Sequence, residues 1–206
     1  MKVLMLNGSP NEHGCTDAAL RVVAGALEKR GIEADIVWLG KQGVRECIAC
    51  GTCRKTGKCV IDDKVNEIAD VADGYDGLVV GSPVYYAGPT STLTAFLDRL
   101  FYSAGGKFAD KPGACLVSCR RGGAASSFDR LNKYFTINNM PVVSSNYWNQ
   151  VHGSRAEDVE KDEEGVQTLR MLGENMAWLM QCIEAGKKSG VPAPVREAKI
   201  KTNFVR

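Results

Sequence analysis

A chain of 206 residues, 44% hydrophobic and 24% charged, has enough apolar material for one sizeable core without staples. Its formal net charge of +2 supplies neither a basic field for nucleic acid nor a polybasic membrane patch. The opening MKVLMLNGSP is too short an apolar run for a secretory leader, and no stretch reaches the ~18 apolar residues of a membrane span.

The chain therefore reads as cytoplasmic, and its eight cysteines as reduced, metal-bound or redox-active rather than a disulfide framework. Lys2–Leu6 is a short apolar run that predicts a buried strand, followed by a loop over Asn7–Gly14. From Thr16 to Arg30 apolar residues recur at helical spacing, with Thr16 or Asp17 available as cap and Gly31 as stop. Glu33–Leu39 predicts a second strand. After a cysteine-rich loop at 47–59, Asp62 or Asp63 caps a helix that runs to about Asp73.

Gly77–Gly81 predicts the third strand, SPVYYAGPTST a loop and Leu93–Tyr102 a helix. Gly113–Ser118 predicts the fourth strand, CRRGGAASS another loop and Phe128–Asn138 a helix, with Pro141–Ser145 as the fifth strand. Nearly continuous apolar strands alternating with helices mean a parallel sheet covered on both faces. The fold class is α/β: a doubly wound, five-stranded, flavodoxin-like sheet in the order 2-1-3-4-5. Tyr147–Val159 reads as a long connection of the kind that often carries function. Asp162–Ala185 predicts a long helix with Leu169, Leu172, Met176, Leu179 and Ile183 on one stripe. The domain is expected over 1–190, with a tail at 191–206 that is either frayed or an arm across a neighbouring subunit.

Three loops fall at the carboxyl edge of such a sheet, where ligands bind. In NGSPNEHGCT, Gly8 and Gly14 permit tight turns, Ser9, Asn11 and Thr16 offer donors, and the following helix aims its free N–H groups into the loop. In SPVYYAGPT, Pro83 stiffens the chain while Tyr85, Tyr86 and Gly88 offer flat faces and close backbone approach. In SCRRGGAASSF, two glycines permit close approach, and Arg120 and Arg121 can meet a phosphate or an anionic ring. A turn with an N-cap, packed tyrosines and a solvated basic turn are the respective structural alternatives. Together the three describe a flavin mononucleotide pocket.

Cys47, Cys50, Cys53 and Cys59 follow the pattern C-x2-C-x2-C-x5-C. A disulfide is disfavoured by the compartment, and structural zinc usually takes two separated C-x2-C knuckles. Three cysteines at successive spacings of three match the run that wraps an iron–sulfur cluster, and Gly57 can return the chain so that Cys59 closes it. Free or redox-active thiols and zinc stay open at this point. Arg45, Arg54, Lys55 and Lys58 surround the run and would offset the charge of a thiolate-bound cluster. Cys15, Cys115, Cys119 and Cys182 read as small buried hydrophobes, and His13 and His152 as non-catalytic.

The segments GSP-x4-CT, SPVYYAGPTSTLTAFLDR and SCRRGG, with the cysteine run, resemble the iron–sulfur flavoproteins and the NAD(P)H-dependent FMN reductase family. The resemblance extends over most of the chain, including FDRLNKYFTINNMPVVSSNYW. It implies that Ser9, Asn11, Gly14, Cys15 and Thr16 hold the FMN phosphate. It implies that Pro83, Val84, Tyr85, Tyr86 and Gly88, with Ser118, Arg120, Gly122 and Gly123, line the ring. It further implies a [4Fe-4S] cluster on the four cysteines, ferredoxin or NAD(P)H as donor, and a small-molecule acceptor. A homo-oligomer, dimer or tetramer, is expected. The flavin carries the chemistry, so no catalytic side chain is assigned.

Overall fold

A computed structural model describes residues 1–202. The five strands are β1 (Lys2–Asn7), β2 (Glu33–Trp38), β3 (Gly77–Pro83), β4 (Gly113–Cys119) and β5 (Gln150–His152). They form one parallel sheet in the order β2-β1-β3-β4-β5. The six helices are α1 (Cys15–Lys29), α2 (Thr52–Thr56), α3 (Lys64–Val71), α4 (Ser91–Ala104), α5 (Ala124–Ile137) and α6 (Glu163–Lys188).

Successive strand residues point to opposite faces, and here both faces are dry. Val3, Met5, Val79, Ala114 and Leu116 join the core made with α1 and α6. Leu4, Leu6, Leu78, Val80, Cys115 and Val117 join the core made with α3, α4 and α5. That double burial is why the strands read as unbroken apolar runs. The stripe Leu169, Leu172 and Met176 of α6 is buried in the first of these cores, so it is core and not an exposed seam.

The predicted fifth strand at Pro141–Ser145 is displaced. Only Val142 bridges, to Gly113 at the start of β4. The regular strand is Gln150–His152, paired with Val117–Cys119. The chain leaves the sheet after Val143, with Asn149 buried and donating from Nδ2 to the Cys115 carbonyl, and returns two-thirds of the way along β4. Tyr147–Val159 is therefore not an open connection: it holds β5 and the start of a short 3-10 helix, Ala156–Lys161.

The predicted cap of α1 is also corrected. The capping position is Gly14, and no side chain caps it. Thr16 and Asp17 lie inside the helix, the first bonded to Ser118 and the second to Arg21. Asp63 does cap α3, accepting from the Val65 N–H at 3.0 Å. Residues 191–202 carry no regular structure and are exposed; Arg196 pairs with Asp110. The last part of the tail expected at 191–206, residues 203–206, lies outside the described residues.

Candidate functional site

The strand ends bring the three loops together. In-register pairing sets Asn7 beside Gly81 and Pro83 beside Ser118, so the residues that follow β1, β3 and β4 emerge at one edge. The first loop is tied down by its own polar groups. Asn7 Oδ1 accepts from the Ser9 N–H, Ser9 Oγ accepts from the Asn11 N–H at 3.1 Å, and Asn7 Nδ2 donates to the Glu12 carbonyl. Trp38, at the end of β2, donates from Nε1 to the Ser9 carbonyl at 2.8 Å.

The first in-helix bond of α1 is from Ala18 to the Gly14 carbonyl. The N–H groups of Cys15, Thr16 and Asp17 therefore begin the helix with no capping side chain, on its positive dipole end. A Cβ on Gly14 would stand 3.1 Å from Asn11 Cβ, so the loop closes tightly against the helix start. Ser9 and Thr16 are buried, whereas Asn11 and His13 are exposed. Burial pushes the Cys15 thiol up.

The other two loops are joined to the first and to each other. Thr16 Oγ1 and Ser118 Oγ share a buried hydrogen bond of 2.9 Å. Thr90 Oγ1 donates to the Gly8 carbonyl at 2.7 Å, and the Val84 N–H donates to the Ser118 carbonyl. Tyr85 and Gly88 exchange backbone hydrogen bonds at 2.8 and 2.9 Å, closing a two-residue turn. Both central residues, Tyr86 (φ 48) and Ala87 (φ 60), are left-handed, which costs side-chain-bearing residues energy and is the kind of strain found at ligand clamps.

Tyr85 and Tyr86 are exposed. They do not pack into the core, contrary to the structural alternative for this loop. Gly123 (φ 86) fits under the turn: a Cβ there would lie 2.9 Å from Ala87 Cα and from Val84 Cγ1. Ser126 Oγ donates to the Ala87 carbonyl at 2.7 Å. Arg120, Arg121 and Gly122 are exposed at the same edge.

The cysteine loop lies between β2 and α3. Cys47, Cys50, Cys53 and Cys59 all line one hollow, with Ile48, Val60, Arg99 and Tyr102. Gly51 and Gly57, both at φ 71, bracket the short α2 and turn the chain back, as expected of Gly57. Asn66 pins the fourth cysteine: its Oδ1 accepts from the Cys59 N–H, and its Nδ2 donates to the Cys59 carbonyl. Hydrogen bonds from the Thr52 side chain and backbone hold the Cys50 thiol below its usual range. Among the described residues, no three His, Cys, Asp or Glu side chains converge closely enough to hold a single metal ion.

With this geometry in hand, residues 1–154 match the model of the NADPH-dependent FMN reductase family. The chain belongs to that family. It is 31% identical over 192 residues to an iron–sulfur flavoprotein of Methanocaldococcus jannaschii, covering 89% of this chain and 100% of that protein. An iron–sulfur flavoprotein of Methanosarcina thermophila is 29% identical over 191 residues, covering 91% and 99%. RosB, solved with 8-demethyl-8-formylriboflavin-5'-phosphate, superposes with a TM-score of 0.70 at 15% identity, over 100% of this chain and 94% of RosB. A flavodoxin from the Archaea superposes at 0.60 with 13% identity, over 88% and 99%. These two likenesses carry the fold.

Family membership gives the three loops their context, and several residues that sequence reasoning passed over now appear as supports. Trp38 and Thr90 brace the first loop, and Asn66 and Arg99 brace the cysteine loop. Only Trp38 had a readable signal, an indole at the carboxyl end of a strand. His152 pairs with Asp162 at 3.0 Å, at the end of β5 beside Cys119. Of the four cysteines read as buried, Cys115 and Cys119 are, Cys15 is half-buried, and Cys182 is exposed on α6. Cys182 faces outward because the apolar stripe of α6 lies on the other side.

Proposed function

We propose that the protein is an FMN-dependent oxidoreductase that also carries a [4Fe-4S] cluster on Cys47, Cys50, Cys53 and Cys59. When bound, FMN supplies two-electron chemistry and the cluster one-electron chemistry. The protein's part is to bind, orient and tune.

The residues present suit both groups. The uncapped start of α1, with the buried hydroxyls of Ser9 and Thr16, suits a phosphate monoester held by dipoles and hydroxyls. The Tyr85–Gly88 turn and Gly123 suit a planar ring, through stacking faces and close backbone approach. Four thiols around one hollow are the ligand set of an iron–sulfur cluster. The observation that carries the reading is α4. Its cap, Thr90, closes the ring loop on Gly8, and two to three turns further on it sends Arg99 and Tyr102 into the cysteine hollow. One rigid helix supports both candidate sites.

The donor is ferredoxin or NAD(P)H, and the acceptor a small molecule such as a quinone or an oxygen species. Without a dinucleotide fingerprint, a nicotinamide would have to stack directly over the flavin. A homo-oligomer, dimer or tetramer, fits the exposed Tyr86 and the exposed Met171 and Trp178 on the outer face of α6.

Two measurements test this reading. Flavin released by denaturing the anaerobically purified protein is expected to be FMN; FAD, or no flavin after reconstitution, overturns the phosphate site. Steady-state turnover of NAD(P)H with a quinone or ferricyanide is expected. Electron exchange with reduced ferredoxin, without turnover of any small-molecule acceptor, would identify a non-catalytic carrier.

A further inference from the structure

Arg99 is among the largest fully buried side chains, with 1% of its side chain exposed. A guanidinium has five N–H donors and cannot be deprotonated in a protein, so burying one demands a complete set of acceptors. It has them. Nη1 donates to Asp63 Oδ2 and to the Arg45 carbonyl, and Nη2 to Asp63 Oδ1 at 2.8 Å and to the Ile61 carbonyl at 2.8 Å. The fifth donor, Nε, is aimed at Cys59 Sγ at 3.3 Å.

Four of these contacts describe a staple. Arg45 lies just before the cysteine loop, and Ile61 and Asp63 just after it, so one side chain from α4 closes both ends. The fifth contact is of another kind. A protonated thiol is a weak acceptor, whereas a thiolate takes a charge-assisted hydrogen bond about twice as strong as a neutral one. Spending the last donor of a buried cation on sulfur is rewarded fully only when that sulfur carries charge.

We infer that Arg99 is a positioning residue that sets the reduction potential of a cluster held through Cys59, by donating a charged N–H to that ligand's sulfur. This rests on the cluster reading above. A cluster there would supply one-electron chemistry, in which no bond is made or broken and the added negative charge would be shared by the sulfurs. A fixed cation bonded to one of them stabilises the reduced state and raises the potential. Asp63 opposes this, because it neutralises part of the same cation.

The two residues therefore predict shifts of opposite sign. The measurement is a redox titration of the anaerobically reconstituted protein, followed by its visible and EPR spectra. Arg99→Gln removes the charge and the Nε donor. It is expected to disfavour reduction about tenfold, a fall of about 59 mV for a one-electron couple. Asp63→Asn keeps an acceptor at the α3 cap and leaves Arg99 in place; it is expected to shift the potential upward.

Potentials unchanged in both variants overturn the tuning role. If Arg99→Gln holds no iron, Asp63→Asn decides: an upward shift supports the role, and an unchanged or lowered potential overturns it. Loss of iron from both variants, with the wild type loaded, reduces Arg99 to a staple and also overturns it. Wild-type protein that takes up no iron brings down the cluster reading itself, which separates that failure from the others.

Discussion

Gly123 shows how a single residue holds the candidate ring site. It sits at φ 86, and a Cβ would meet the backbone of Ala87 at 2.9 Å, so neither its own conformation nor its neighbour can relax. Gly123→Ala is expected to lower stability by on the order of 1–3 kcal/mol and to weaken flavin retention. Urea unfolding with and without FMN reads both. Asp162 makes a second case. Burial pushes its carboxyl up, but hydrogen bonds from the Gly165 and His152 N–H groups and the His152 ring outweigh this and hold it below the ordinary range. A depressed carboxylate stabilises the fold above its unfolded pKa of about 3.9, and that stability is lost as pH falls through the folded value. Asp162→Ala is therefore expected to be less stable than wild type at neutral pH by about 1–3 kcal/mol. The gap should narrow below about pH 4, as urea midpoints across pH would reveal. Features that rest on local spacing were readable beforehand, as with the gathering of Cys47, Cys50, Cys53 and Cys59 about one hollow and the turn at Gly57. Roles that rest on distant pairing were not: nothing near Arg99 in the chain announces Cys59, 40 residues away.

At the scale of elements, the sequence was legible where burial and periodicity agree. β1, β3 and β4 are dry on both faces and read as such. β5 was misplaced because Pro141–Ser145 has the apolar character of a strand, yet only its beginning finds a partner on β4. The three residues that do pair, Gln150–His152, offer a single apolar residue, Val151, between two polar ones, too short a run to read as a strand. The cap of α1 was misread because Thr16 and Asp17 find other partners, Ser118 and Arg21, and the helix begins one residue earlier, after Gly14. Thr90 was also hidden, within a predicted loop. It accepts from the Leu93 N–H as cap of α4 and donates to the Gly8 carbonyl. Thr90→Val keeps the shape and removes both bonds. A loss of about 1–2 kcal/mol is expected from the cap and the buried bond. Thermal unfolding that matches wild type would show that α4 does not need this tie.

The whole molecule is a flavodoxin-like sheet with its loops joined at one edge and a cysteine hollow braced from the same helix, α4. Exposed aromatic residues, Tyr86 and Trp178 among them, fit self-association. Light scattering at micromolar concentration is expected to return a dimer or tetramer, and a monomer would contradict the oligomer proposal. The central claim is that one chain holds both a flavin and a cluster. The most direct measurement is joint analysis of iron, acid-labile sulfide, zinc and released flavin in wild-type protein and Cys53→Ala, both reconstituted without oxygen. The account predicts wild-type protein with iron and sulfide in the proportion of a [4Fe-4S] cluster together with FMN, and Cys53→Ala with FMN but without the cluster. Zinc in place of iron, or four thiols that titrate freely in wild-type protein, would contradict it.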